Sequence, residues 1–196
     1  MAISPGAAAR LAYYQAENGF GILAPRGWHC FSTYGSSGST LYVTPEAIDA
    51  RKLFSDDWKG FSGQAIEVSV SVGDTSGRFE VAKTIARVFP EHKTFVQDVI
   101  AEGIEPAASF PFGPYPKDKL TYRSKRVVEF ETPAYSAGLG TDSRLQRNSS
   151  PIAGVAILFG QEPNLLQVST RISEEGRDLV RLIVAQAERE AAASRD

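Results

Sequence analysis

The stretch PIAGVAILFGQEPNLLQVSTRI, residues 151–172, decides the fold class that we expect. Its first part is an apolar run that ends at Gly160, which is typical of a strand buried on both faces. The segment LLQVSTRI follows after a short break at residues 162–164, where the composition favours a turn. The two segments therefore predict a buried strand and its antiparallel hairpin partner.

Amphipathic patterns on both sides of this hairpin predict helices and one further strand. After the hairpin, Ser173 is a suitable N-cap for a helix whose apolar stripe recurs between residues 179 and 187. Before it, AIEVSVSV, residues 65–72, alternates apolar and polar side chains, so one strand face should meet the core and the other should be polar. Apolar residues then recur at helical spacing up to Pro90 and again up to Gly103, which predicts two helices.

The first third of the chain predicts a helix, three short strands and a second helix. Ser4 before Pro5 is typical of a helix start, and the same signal returns at Thr44 and Pro45. Between them lie three runs rich in aromatic and β-branched residues, separated by glycine and proline. We expect a helix over 5–17 that ends at Asn18-Gly19, strands over 20–25, 27–34 and 39–44 with the last two forming a hairpin, and a short helix from Pro45 that is over by Ser55.

Residues 119–131, KLTYRSKRVVEFE, alternate apolar and charged side chains, which predicts one strand with a basic face. Arg126 falls on the apolar side of this alternation, which indicates a bulge or a partly open end. Charge along an edge strand opposes pairing with other chains, so we interpret the segment as an exposed, charge-protected sheet edge. Two irregular loops flank it, the proline- and aromatic-rich segment 105–116 and the long polar segment 132–150.

Hairpins dominate this order of elements, and no regular alternation of strand and helix occurs. The chain therefore predicts an α+β fold, with a mainly antiparallel sheet of about six to seven strands flanked by helices. Its 196 residues suit a single domain over 1–196, whose last residues, 191–196, are expected to fray. Hydrophobic residues at 42% and charged residues at 22% are close to globular averages, so disorder is not indicated.

The pattern LAPRGW, residues 23–28, leads into a strand pair, and the chain closes with a hairpin and a helix. This order of elements resembles that of the PsbP-like α+β domains. PsbP-type proteins are extrinsic proteins of photosystem II, and related domains occur in uncharacterised bacterial envelope proteins. The resemblance implies a periplasmic or secreted location, with a signal peptide absent from this chain, and a cytoplasmic location is the alternative. It assigns no functional residue, because that family has no shared catalytic motif.

Composition argues against several classes of function. A formal net charge of -2 provides no broad basic field, so we expect no nucleic-acid partner. The longest apolar run is far shorter than the roughly 20 residues that span a bilayer, so we expect no transmembrane segment. One cysteine and two histidines in no ligand spacing predict neither a metal site nor a disulfide framework. No phosphate-loop motif occurs, and we expect no cofactor.

The triplet Trp28-His29-Cys30 raises the alternative of a thiol nucleophile. Neighbours on a strand point to opposite faces, so His29 cannot activate Cys30, and His92 is the remaining candidate base. Free cysteine is among the residue types most often buried, and we interpret Cys30 as a buried structural thiol. The following loop, YGSSGST at 34–40, fits neither a phosphate-binding loop nor a serine-hydrolase elbow and instead predicts a hairpin turn.

The loop 105–116 is the strongest candidate for a contact surface. Its prolines hold an extended backbone at low entropic cost, and its aromatic side chains then either cover the core as a lid or meet a ligand. In the second case, the polar segment 132–150 would supply the opposite wall. The candidate binding residues are Phe110, Phe112, Tyr115, Arg144 and Arg147.

These features predict a non-enzymatic binding or protein-interaction domain of a bacterial envelope or secreted protein, whose partner is a protein or a small ligand. Two alternatives stay open. One is a small hydrolase with Cys30 or a hydroxyl as nucleophile and His92 as base, and the other is a toxin-neutralising immunity protein. The enzymatic alternative is the weaker one, because neither histidine lies in a recognisable catalytic motif.

Overall fold

The computed structural model describes residues 4–17 and 19–193. Its helices are α1 (Pro5–Arg10), α2 (Ala50–Leu53), α3 (Arg78–Val88), α4 (Lys93–Ala101) and α5 (Arg177–Ala193). Its strands are β1 (Leu11–Gln15), β2 (Gly21–Pro25), β3 (His29–Gly35), β4 (Gly38–Thr44), β5 (Ala65–Ser71), β6 (Lys119–Ser124), β7 (Val127–Thr132), β8 (Ile152–Phe159) and β9 (Asn164–Arg171).

Seven of these strands form one antiparallel sheet in the order β3-β4-β5-β9-β8-β7-β6, and β1 and β2 form a separate antiparallel ribbon. The predicted α+β class with a mainly antiparallel sheet is therefore confirmed. The hairpin predicted over residues 151–172 is β8–β9, and β9 is the central strand of the sheet. The predicted β3–β4 hairpin is also present, closed by Ser36 and Ser37.

Both faces of the sheet are covered. On one face, α5 and the β1–β2 ribbon bury a core that includes Ile66, Val68 and Val168. On the other face, α3 and α4 pack against the β7, β8 and β9 side of the sheet. The other face of β5 is polar, as expected, but its Glu67 is buried, because loops from two parts of the chain cover it.

The two predicted N-terminal helices have different bounds in the structure. The first helix ends at Arg10 rather than at Glu17, because the next residues pair with β2 and bury Leu11. The second helix begins only after Asp49, whose side chain accepts a hydrogen bond from the N–H of Arg51. The predicted end signal at Asn18 lies outside the described residues.

The segment 119–131 is a hairpin rather than one strand. β6 and β7 pair antiparallel on either side of a turn at Lys125 and Arg126, and the register shifts between Tyr122 and Ser124. The expected irregularity is thus present, but a turn reverses the chain there. The turn gives the chain a strand that the alternation did not predict, and it makes β6 an edge of the sheet.

The last helix, α5, continues through Ala193. Ala191 is fully buried against the core under the ribbon, while residues 194–196 lie outside the described part of the chain. Within the residues that the structure describes, none of the helices is both long and apolar enough to cross a bilayer.

Candidate functional site

The aromatic and proline-rich loop 105–116 divides its aromatic residues between core and surface. Phe110 is only 1% exposed and packs with α3 and α4, so it belongs to the core and offers no surface to a ligand. Phe112 is 57% exposed, and Tyr115 is half-buried against the same core. Gly113 has a φ of 94° and donates its N–H to the carbonyl of Ala86 at 2.9 Å, which fixes the loop to α3.

Tyr115 joins this loop to the polar segment 132–150. Its hydroxyl donates to the carboxylate of Asp142 at 2.8 Å, and the guanidinium of Arg87 lies 4.1 Å from the centre of its ring. Burial raises the pKa of Tyr115 to about 12, and the hydrogen bond and negative charge of Asp142 act in the same direction. The two loops predicted to face each other therefore meet at this hydrogen bond.

Burial also raises the pKa of Asp142 to about 6, against the opposing hydrogen bond from Tyr115 and the charge of Arg87. Asp142 is exposed as a whole residue, and both of its carboxylate oxygens accept the Tyr115 hydroxyl, at 2.8 and 3.0 Å. Asp142 follows a short 3-10 turn, Leu139–Thr141, which Asp118 holds in place. Asp118 accepts hydrogen bonds from the Thr132 hydroxyl at 2.7 Å and from the Leu139 N–H at 2.8 Å.

A second segment, around residues 58–63, packs beside the polar loop. Phe61 and Leu145 form a short parallel bridge, in which the Phe61 N–H donates to the carbonyl of Arg144 at 2.7 Å. Arg171 of β9 is buried and donates to carbonyl oxygens on both segments, those of Phe61, Gly63 and Gln146. The two segments are thereby tied to each other and to the centre of the sheet.

These segments form a cleft of about 400 Å³ that is lined by three basic residues, three other polar residues and one leucine. The lining residues of this basic cleft are Lys59, Thr141, Ser143, Arg144, Leu145, Gln146 and Arg147. The guanidinium of Arg144 lies 5.8 Å from the centre of the Trp58 ring, near the outer limit of a cation–π contact. Both arginines predicted as binding residues therefore line the same cleft, and Lys59, from a distant part of the sequence, joins them there.

Behind the basic cleft lies Glu67, which is 6% exposed and sits on β5 directly opposite Tyr42 of β4. Burial raises the pKa of Glu67 to about 7, although the Arg144 N–H and the Arg144 charge both favour the carboxylate. Burial likewise raises the pKa of Tyr42 to about 12, and the charge of Glu67 adds to that effect. On the other side of Glu67, the buried hydroxyl of Ser169 in β9 has no hydrogen-bond partner among the described residues.

The interpretation of Cys30 as a buried thiol was wrong. Cys30 is exposed, because it lies on the edge strand β3, which contributes no residue to the hydrophobic core within the described part of the chain. His92 lies at the opposite edge, next to Glu91, whose carboxylate pairs with Lys125 of the β6–β7 turn at 2.7 Å. Six strand spacings separate β3 from β6, which amounts to roughly 29 Å. The structure does not bring Cys30 and His92 together.

A smaller cleft of about 310 Å³ lies between the α3–α4 connection and β6, lined partly by Phe89, Tyr122 and the Glu91–Lys125 ion pair. It contains none of the predicted binding residues. Among residues 4–17 and 19–193, no group of three or more histidine, cysteine, aspartate or glutamate side chains could hold a metal ion.

Sequence reasoning missed Lys59, Glu67 and Trp58. The strand alternation assigned Glu67 to a polar face, and the two other residues lie in a segment with no periodic pattern. A usable signal was the pair of aromatics in WKGF, residues 58–61, because aromatic side chains in an irregular segment tend to cover a core or a site.

Comparison of the chain with protein-family models, with curated proteins and with solved structures finds no match. The resemblance to PsbP-like domains therefore stays a prediction from the sequence.

Proposed function

We propose that this protein is a non-enzymatic binding domain that takes a small anionic ligand in the basic cleft. The observation that carries the proposal is the convergence of Lys59, Arg144 and Arg147 on one cleft whose described lining contains no carboxylate. The chain as a whole has a formal net charge of -2, so this concentration of positive charge is local. A cleft lined by one sign of charge raises the local concentration of ligands of the opposite sign.

One further lining group matches the same ligand chemistry. Gln146 Nε2 donates one N–H to the Gly60 carbonyl at 2.9 Å and has a second N–H for a carboxylate or phosphate oxygen. The hydroxyls of Thr141 and Ser143 already donate to the carbonyls of Gly138 and Gly140 and shape the wall of the cleft. Arginine binds both anions through two parallel N–H groups, and two arginines, Arg144 and Arg147, line the cleft. A ligand with two or three negative charges would satisfy the three cations, which favours polycarboxylates and phosphate esters.

The aromatic-proline loop 105–116 borders this site through Tyr115. Its hydroxyl holds Asp142, the residue between the cleft-lining Thr141 and Ser143. The loop thereby fixes one wall of the cleft, and the exposed ring of Phe112 leaves an apolar contact on the same loop. An envelope or secreted location is part of the proposal and rests on the PsbP-like order of elements.

Thermal denaturation with citrate or pyrophosphate as the probe tests the proposal. A ligand that binds only the folded chain stabilises it by about 2.7 kcal/mol at a hundredfold excess over its Kd. We expect a rise in Tm with at least one probe, and loss of that rise in a Lys59→Gln/Arg147→Gln variant.

The matched control is Lys117→Gln/Lys125→Gln, which removes the same charge from the region before and after β6. This control should keep the full rise in Tm. Absence of any rise with both probes would refute the proposal, and so would an equal loss in the two double variants, because binding would then depend on net charge alone.

A further inference from the structure

The two edges of the seven-stranded sheet differ in their protection against pairing. Edge strand β6 carries Lys119 and Arg123, each in an ion pair with β7, and its register shifts after Tyr122. Such charges and irregularities are the usual means of keeping an edge strand from adding another chain. This agrees with the interpretation of that segment as a charge-protected edge.

Edge strand β3 has none of these features. Its sequence, HCFSTYG, contains no lysine, arginine, aspartate, glutamate or proline, and its register with β4 runs without a shift from His29 to Gly35. None of its residues is buried, and the residues at both of its ends are exposed. β3 is thus a regular, uncharged and accessible strand edge.

The register of the β3–β4 hairpin identifies the free backbone groups. A two-residue turn makes Gly35 and Gly38 a hydrogen-bonded pair, and every second residue of β3 from there bonds to β4. The N–H and C=O groups of Cys30, Ser32 and Tyr34 therefore point away from the sheet. Within residues 4–17 and 19–193, no backbone or side-chain hydrogen bond reaches these groups other than through the strand ladder.

We propose that β3 pairs antiparallel with β3 of a second copy of this chain, about a twofold axis at Ser32. In this register Ser32 lies opposite itself and Cys30 lies opposite Tyr34 of the other copy. Each of the three outward-facing residues then exchanges its N–H and C=O bonds with the partner strand. The two sheets would continue as one, and the β3 edge of each copy would be covered.

The absence of charge favours a second copy over other occupants. Two identical strands place no like charges opposite each other, whereas a charged peptide would find no countercharge along β3. Two exposed aromatic residues flank the edge, Tyr34 at 75% and Phe54 at 71%, and Phe54 packs edge-on against Phe31. Pairing would shield this exposed apolar surface around the edge.

Sedimentation equilibrium tests the proposal directly. A single seven-residue strand makes a small interface, so we expect a reversible shift from the monomer mass of 21.2 kDa to twice that mass as the concentration rises to about 100 µM. Ser32→Pro should weaken the dimer roughly tenfold or more. It should leave the monomer folded, because the Ser32 N–H makes no bond within the chain and proline is tolerated at such positions.

Two matched pairs of variants keep the test decisive. Thr33→Pro removes an N–H that bonds to β4 and should lower the Tm, whereas Ser32→Pro should not. This difference between the two variants would confirm the register. On oxidation, Cys30→Ser combined with Ser32→Cys should form a disulfide-linked dimer, while Cys30→Ser combined with Ser36→Cys in the hairpin turn should not.

The proposal fails if the unmodified chain sediments as a monomer up to about 100 µM. It also fails if Ser32→Pro and the unmodified chain dimerise equally, because the contact would then lie elsewhere. Binding of an extended peptide by a chain that stays monomeric would overturn it as well and would assign the edge to another partner. None of these outcomes depends on the anion site.

Discussion

The carboxylate of Glu67 accepts a 2.7 Å hydrogen bond from the backbone N–H of Arg144, which connects the interior of the sheet to the lining of the basic cleft. The two residues are far apart in sequence, and the bond is one of several that hold the 138–148 segment against the sheet. Since Arg144 also carries one of the three positive charges of the cleft, the protonation state of a buried carboxyl group and the geometry of the candidate site are coupled.

The first prediction concerns stability against pH. Burial raises the pKa of Glu67 from its ordinary value of 4.5 to about 7, so the folded chain keeps this proton to higher pH than the unfolded chain. The unfolded state therefore binds fewer protons between these two values, and the free energy of unfolding falls as pH rises from 4.5 to 7. Glu67 alone should account for a fall of about 3 kcal/mol in the free energy of unfolding over this pH range. This fall corresponds to a decrease of roughly 6–12 °C in Tm.

The control for this prediction is Glu67→Gln, whose amide oxygen can still accept the Arg144 N–H. The pKa of Asp142 is also raised, so Asp142 lowers the free energy of unfolding over the same pH range. Subtracting the stability profile of the variant from that of the unmodified chain leaves the effect of Glu67 alone. Urea denaturation of both proteins across pH 4.5 to 7 measures the difference. Parallel profiles would contradict the prediction and would mean that Glu67 titrates normally in the folded chain.

The strands that the sequence predicts well are those with uninterrupted patterns. β5 and β8 have a clear alternation or a continuous apolar run, and their periodicity reports burial directly. β1 was missed because its residues follow an alanine-rich helix without a turn signal, and only pairing with β2 makes them a strand. The β6–β7 turn was missed because Lys125 and Arg126 are not turn residues, and the Ser124 hydroxyl accepts the Arg126 N–H in their place.

The candidate site was predictable only in part. Arg144 and Arg147 stood out as cations in a long polar segment, but the parallel bridge between Phe61 and Leu145 that brings Lys59 beside them is a long-range contact. Local periodicity carries no information on such a contact. The burial of Glu67 escaped prediction for the same reason, since alternation distinguishes the two faces of a strand but does not say whether loops cover the outer one.

The second prediction separates the two surface aromatics of the loop 105–116. Tyr115→Phe removes the hydroxyl that donates to Asp142 and should cost about 1–2 kcal/mol, because the acceptor is a carboxylate. Tyr115→Ser also removes the ring beneath Arg87 and should cost about 3 kcal/mol. Phe112→Ser should stay within about 0.5 kcal/mol, since that ring is mostly exposed.

Chemical denaturation of the three variants measures these costs. A loss of stability in Phe112→Ser as large as that in Tyr115→Ser would contradict the placement of Phe112 and would make the whole loop a lid. Equal stability of Tyr115→Phe and the unmodified chain would mean that the hydrogen bond to Asp142 contributes nothing.

The third prediction concerns the close approach at Gly138. A Cβ at this position would overlap the carboxylate of Asp118 and come within 2.5 Å of the Thr132 hydroxyl. These two side chains hold the turn that leads to Thr141 and Ser143. Gly138→Ala should therefore cost about 1–3 kcal/mol and weaken binding of any anion in the basic cleft.

Gly63→Ala is the matched control, because a Cβ there meets no atom within 4 Å. It should leave both stability and binding unchanged. A fully stable Gly138→Ala variant would show that the Asp118 side chain can move aside without loss.

The last prediction uses the single cysteine as a probe of the β3 edge. Because Cys30 is exposed, iodoacetamide at pH 8 should alkylate the native protein at a rate within about tenfold of the denatured chain, when the protein is dilute. At concentrations where β3 pairs with a second copy, the Tyr34 side chain of that copy would lie beside the thiol on the same face of the sheet, and the rate should fall. The Ser32→Pro variant, which blocks pairing, should be labelled at the same rate at both concentrations. A thiol that stays inert in the dilute native protein would contradict the exposed position of Cys30 and would support the buried position expected from the usual burial of free cysteine.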